Sequence, residues 1–172
     1  MAQRLWKGIK DSTKGWTIVT EQTVAGLQGL PQPAEQIDTW QRAWDEVNDL
    51  HLEGEEVQAD ADIATRRKRP DAWAVSWENR RLLILEFTRP NDRGELSLHE
   101  TDLYKTARYK SLRDLLARLL PGWEVEVQTY TVGIRGSHDP DRWNAQLRRL
   151  DVPAARAERL MLGMVEQALT EL

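Results

Sequence analysis

Two carboxylates, Asp71 and Glu86, carry the strongest chemical signal in this chain. Asp71 opens an apolar segment, Ala72 to Trp77, and Glu86 lies near the end of the next, Leu82 to Phe87. Glu78-Asn79 between them is a turn signal, and two apolar runs joined by a short polar turn predict a β-hairpin. A hairpin folds its outer ends together, so the acids are expected to meet at one end of a sheet. A carboxylate inside Leu82-Leu83-Ile84-Leu85-Glu86-Phe87 costs several kcal/mol to bury as an unpaired ion. A bound Mg²⁺ would offset that cost, since it takes oxygen ligands of this type. Such an ion polarises a phosphodiester and lowers the pKa of its bound water. The structural alternative is that Glu86 pairs with an arginine and Asp71 caps a turn. Lys105 and Tyr109, four residues apart on a predicted helix, share a face, with Arg108 alongside. A lysine beside metal-bound phosphate can orient the attacking water and stabilise negative charge. A solvated basic helix face is the alternative for these three.

The elements that must position these groups follow from periodicity and breakers. Trp16 to Thr20 is β-rich and predicts a short strand; the rest of the first thirty residues holds few signals. Glycines and prolines over 26–33 break the chain. From Ala34 to about Leu50, Ile37, Trp40, Ala43, Trp44 and Val47 recur at helical spacing, opposite an acidic face of Glu35, Asp38, Asp45, Glu46 and Asp49. The nearly continuous apolar run of the second hairpin strand predicts a central strand covered on both faces. A long helix, about Ser97 to Leu120, carries Leu112, Leu115, Leu116 and Leu119 and stops at Pro121-Gly122. Trp123 to Ile134 alternates as a third core strand, and helices over about 141–150 and 153–172 close the chain, with Pro153 suited to a first helical turn. The expectation is one α/β domain over 1–172, with a core at about 34–136 and C-terminal helices over 140–172.

Composition narrows the function. The chain has 172 residues, no Cys and 8 Trp. Without Cys there is no disulfide framework, thiol nucleophile or Cys-ligated metal site. No apolar run reaches the ~18 residues of a membrane span, and the N-terminus lacks a secretory signal, so an intracellular protein is expected, nuclear if its source is eukaryotic. The net charge of −4 averages two unlike parts. Residues 1–65 hold 5 basic and 12 acidic side chains, and residues 66–172 hold 19 and 16. A nucleic-acid binder is usually basic overall, so phosphate contacts here must be local. No P-loop, dinucleotide-binding glycine pattern or G-x-S-x-G elbow occurs.

Pro70-Asp71, fourteen further residues, then Glu86-Phe87-Thr88 resembles the PD-(D/E)XK nuclease motif, with Thr88 where the lysine normally stands. One branch of that superfamily moves the lysine to the following helix: the restriction-like endonuclease domain of site-specific non-LTR retrotransposons. Lys68-Arg69-Pro70-Asp71, Glu86 and Lys105-Thr106-Ala107-Arg108-Tyr109 are similar to its ordered signature, and the likeness covers about residues 66–170. The resemblance implies a restriction-endonuclease-like core, a small central mixed sheet flanked by helices. It implies a metal-dependent endonuclease acting on DNA, with RNA also open, and nicking of target DNA for retrotransposon insertion. Asp71 and Glu86 would ligate Mg²⁺ or Mn²⁺, Lys105 would replace the missing lysine, and Tyr109 would sit against the scissile phosphate or the water. The Phe87 carbonyl would add a ligand, and an acid of the first core helix would complete the site. Glu46 is the choice there, with Asp45 and Asp49 competing. The resembled domains follow a Cys/His zinc knuckle, whereas this chain has no Cys. The same branch includes a non-catalytic version, so an inactive nucleic-acid-binding module of the same fold is the alternative.

Arg66, Arg67, Lys68 and Arg69 form the clearest basic run and are expected to grip backbone phosphates, with Arg108, Lys110 and Arg113 extending that surface. Arg142, Arg148 and Arg149 are expected to be solvent-facing, and His51, His99 and His138 to be structural. Trp40, Trp44, Trp73 and Trp77 are expected in the core. Trp6, Trp16, Trp123 and Trp143 sit near segment ends, where partial exposure and base stacking are open to them. A third reading has Leu160, Leu162, Met164, Val165 and Leu169 of the last helix packing on a partner.

Overall fold

The computed structural model describes residues 1–37, 40–42, 45, 65, 67–91 and 95–171. Their elements run α1 (Ala2–Ser12), β1 (Thr17–Thr20), α2 (Val24–Gln28), β2 (Ala72–Ser76), β3 (Arg81–Thr88), α3 (Glu95–Leu119), β4 (Glu124–Thr131), α4 (Pro140–Arg149) and α5 (Ala154–Thr170). Of the helix expected over 34–50, Ala34–Gln36 is a 3₁₀ turn, and residues 37, 40–42 and 45 are helical. The strands form one sheet in the order β1-β2-β3-β4. β1–β2 and β2–β3 are antiparallel, and β3–β4 is parallel. The fold is therefore α/β: a four-stranded mixed sheet with flanking helices and C-terminal helices.

The hairpin forms where expected. Ala72 pairs with Leu85 and Ser76 with Arg81, around a turn at residues 77–80 that closes with Arg80 at φ 49°. A parallel partner cannot be reached by a short turn, so β3 and β4 need a crossover. The 25-residue α3 supplies it.

Alternation of side chains splits the sheet into two buried faces. On one, Ala72, Ala74, Leu83, Leu85, Tyr130 and Val132 meet α1, α4 and α5. On the other, Trp73, Val75, Leu82 and Ile84 meet α2, Trp40 and the Tyr109, Leu112, Leu115, Leu116, Leu119 stripe of α3. β3 is central and covered on both sides, as its apolar run predicts.

The structure adds to the sequence reading in three places. The N-terminal segment is a helix, because Leu5, Trp6 and Ile9 bury against the sheet. Trp6, Trp16 and Trp143 are buried rather than available for stacking. Trp143 and Trp6 each pack edge-on to Tyr130, with ring centroids 5.2 and 5.8 Å away. Trp123 is half-buried, in contact with Trp40 and Trp77, while Trp44 lies outside the described residues. The last helix, finally, spends much of its apolar face inside the molecule. Met161, Met164 and Ala168 are buried, Leu160 packs against the same cluster, and Leu162 and Leu169 stay exposed.

Candidate active site

The site is built at the end of the sheet where β2 begins and β3 ends. Continuing the hairpin register by one pair sets Asp71 opposite Glu86. Asp71 Oδ2 accepts a 2.8 Å hydrogen bond from the Phe87 backbone N–H, which orients that carboxylate across the strand end. The Asp71 N–H lies 3.4 Å from Glu86 Oε2, a long contact. On the other side the Asp71 carbonyl accepts from the Glu21 N–H at 2.9 Å, tying the site to the residue after β1. Period-two alternation puts Glu86 on the same face as Leu82 and Ile84, the face covered by α3.

Glu86 is 4 % exposed, so its charge needs a partner. Lys105 of α3 provides it, with Nζ donating to Oε1 at 2.5 Å. The partner is thus a lysine on the following helix and not the arginine that the structural alternative named. Tyr109, one helical turn on, is 1 % exposed, and its hydroxyl lies 3.4 Å from the Arg69 carbonyl. Burial, and then the Glu86 carboxylate beside it, push its phenol far above the usual value, so it remains a neutral O–H. Burial also raises the Asp71 carboxyl, assisted by the negative charge of Glu86 and opposed by the Phe87 N–H bond.

The basic run is placed differently from the expectation. Lys68 turns onto α3, donating to the Arg108 carbonyl at 2.5 Å and to Ser111 Oγ at 2.8 Å. Burial, with the Arg108 charge second, lowers its pKa. Arg69 pairs with Glu21 at 2.9 Å. Arg67 is exposed. Arg108 is exposed on α3, its guanidinium 5.5 Å from the Tyr109 ring centroid. Lys110 points away from the acids and pairs with Asp114 at 2.9 Å. Glu46 and Arg66 lie outside the described residues, as does His51. His99 is exposed, and His138 Nδ1 sits 3.0 Å from the Gly136 carbonyl.

The fold therefore brings Asp71, Glu86, Lys105 and Tyr109 together, with Lys68 and Arg69 bracing the segment that carries Asp71. Sequence reasoning missed Asp102, whose spacing to Lys105 and Tyr109 places all three on one helix face. It also missed Arg142, which meets Asp102 instead of facing solvent. No protein-family model and no curated protein sequence matches the chain.

Proposed function

We propose that this chain is a divalent-metal-dependent endonuclease of the restriction-endonuclease-like fold that hydrolyses phosphodiester bonds in DNA. The observation that carries the reading is the convergence of Asp71, Glu86 and Lys105 at one end of the sheet, on the face covered by α3. A lysine delivered by the helix after the second acid supports the variant motif, in which Thr88 replaces the usual lysine. By analogy with the retrotransposon domains, the cut would be a nick in target DNA that primes insertion.

The donor set suits Mg²⁺ or Mn²⁺, because hard ions of this kind are held by one or two carboxylates together with water. Among the described residues no cluster of three His, Cys, Asp or Glu forms, so Asp71 and Glu86 would be the main protein ligands, with the Phe87 carbonyl adjacent. When bound, the ion supplies charge neutralisation at the phosphate and a water of lowered pKa. Lys105 holds its protons toward Glu86 and offers three N–H donors, enough to reach a phosphate oxygen as well. Tyr109 stays protonated at neutral pH and so donates rather than abstracts. Arg67 and Arg108 supply exposed cations for backbone phosphates, which position a strand without reading its sequence.

The test is incubation of supercoiled plasmid with Mg²⁺ or Mn²⁺. Wild type should convert it to the nicked form, and Asp71→Asn and Glu86→Gln should not, while circular dichroism shows both folded. Variants that cut as well as wild type would remove the site assignment.

One observation favours a second reading, a non-catalytic nucleic-acid-binding module of the same fold. The Lys105 ammonium satisfies the buried Glu86 carboxylate without any metal. Mn²⁺ titration separates the two: a catalytic site binds the ion through Asp71 and Glu86, whereas a binding module takes up nucleic acid equally with and without it.

A further inference from the structure

Asp102 is a buried acid, 5 % exposed, that the proposed chemistry leaves unused. It lies on α3 one turn before Lys105, on the helix face turned to the sheet. Its Oδ1 accepts hydrogen bonds from the hydroxyls of Thr129, at 3.0 Å, and Thr131. Its Oδ2 lies 3.2 Å from Nε of Arg142 on α4, and Nη2 of the same arginine donates to Thr129 Oγ1 at 2.8 Å. Thr129 and Thr131 stand in register with Glu86 and Thr88 on the neighbouring strand. Asp102 therefore joins α3, β4 and α4 beside the proposed catalytic end of β3.

Further along α3, Leu112, Leu115, Leu116 and Leu119 set how deeply the helix packs on the sheet. Apolar contact is non-directional, so it resists lifting of the helix better than sliding along its axis. Hydrogen bonds are directional and short-ranged, and two of them converge here on one carboxylate oxygen. One residue of α-helix rises ~1.5 Å, and a slide of that size would displace the Lys105 backbone by as much relative to Glu86, so its side chain would have to change conformation to keep the bond.

We infer that Asp102 is a positioning residue: it holds α3 in the axial register in which Lys105 reaches Glu86. The inference about Lys105 stands on geometry alone, and its consequence for cleavage rests on the nuclease reading above.

The experiment measures amine acylation of Lys105 by mass spectrometry in the full chain. Lys110, on the same helix and 68 % exposed at its side chain, is the internal reference. Asp102→Ala should raise the Lys105/Lys110 labelling ratio severalfold. Asp102→Asn keeps an oxygen acceptor for the threonines and should raise the ratio less. Leu119→Ala, a core truncation in the last turn of α3, controls for general loosening and should leave the ratio unchanged. An unchanged ratio in Asp102→Ala, or an equal rise in Leu119→Ala, overturns the inference. If Asp102→Ala does not fold, Asp102→Asn decides, with a raised ratio in support and an unchanged one against. Plasmid cleavage then tests the nuclease consequence, because a misplacement of this order costs about 10²-fold in kcat, here with KM retained. A wild type that does not cut removes the nuclease reading and leaves Asp102 to be judged by the labelling.

Discussion

The ammonium of Lys105 on α3 lies 2.5 Å from Oε1 of Glu86 on β3, joining a crossover helix to the strand that precedes it. The Glu86 side chain is almost fully buried, while that of Lys105 keeps 18 % of its surface in solvent. Lys105 thus compensates a charge that cannot be hydrated, whereas Glu86 compensates one that partly can. Removing the lysine should therefore hurt more than removing the acid. Lys105→Met is expected to cost about 3 kcal/mol, the low end for breaking a buried pair. Lys105→Met with Glu86→Gln should recover much of that loss. Urea unfolding of the two single variants and the double variant measures the coupling, and additive effects would mean that the pair is not an energetic unit.

Thr88 lies two residues after Glu86 on the same strand, so it faces the same side of the sheet. A lysine there should reach the same carboxylate from the strand. Combining Thr88→Lys with Lys105→Met should restore part of the stability lost by Lys105→Met, and part of any Mn²⁺-dependent cleavage. A double variant no better than Lys105→Met would show that only the helix can deliver this cation.

Burial raises the Asp71 carboxyl above its ordinary value. In the window between the unfolded and folded values the native chain holds more protons than the unfolded one. By linkage, stability then falls as pH rises through that window. Asp71→Asn removes the penalty and keeps an acceptor for the Phe87 N–H. Its melting temperature relative to wild type should therefore rise from about pH 4 to about pH 7. A difference independent of pH would contradict the burial penalty. Saturating Mn²⁺ should reverse the order at neutral pH, since only wild type gains binding energy.

Trp143 sits edge-on to Tyr130 and donates from Nε1 to the Thr131 carbonyl at 3.1 Å, on the sheet face opposite the site. Trp143→Ala should cost about 3–5 kcal/mol, as large aromatic truncations in cores do. Chemical denaturation tests it; a loss under ~1 kcal/mol would argue against a packed core at this residue.

Asp71, Glu86, Lys105 and Tyr109 were legible because each breaks or follows a local rule. An acid interrupts an apolar run, a hairpin folds its ends together, and two residues one turn apart share a face. Asp102 carried a weaker sign, since nothing in its neighbours marks it as buried. The local partners of the basic run were not legible for a related reason. Charge alone does not reveal that Lys68 finds Ser111 and the Arg108 carbonyl, or that Arg69 finds Glu21. The N-terminal helix was missed because its apolar residues are few, although Leu5, Trp6 and Ile9 stand at helical spacing and bury together against the sheet.

The sequence by itself determined the local elements around the site: the hairpin, the long helix, the following strand and the helix-borne lysine. These follow from side-chain period and turn residues, which act over a few neighbours. Tertiary structure alone decided which charges meet. The parallel β3–β4 register brings Thr129 beside Glu86, and the packing of α3 sets Lys105 on Glu86 and Asp102 on the threonines. A salt bridge or a buried hydrogen bond depends on distances of a few ångströms between residues far apart in the chain. Those distances come into being only when the helix docks on the sheet.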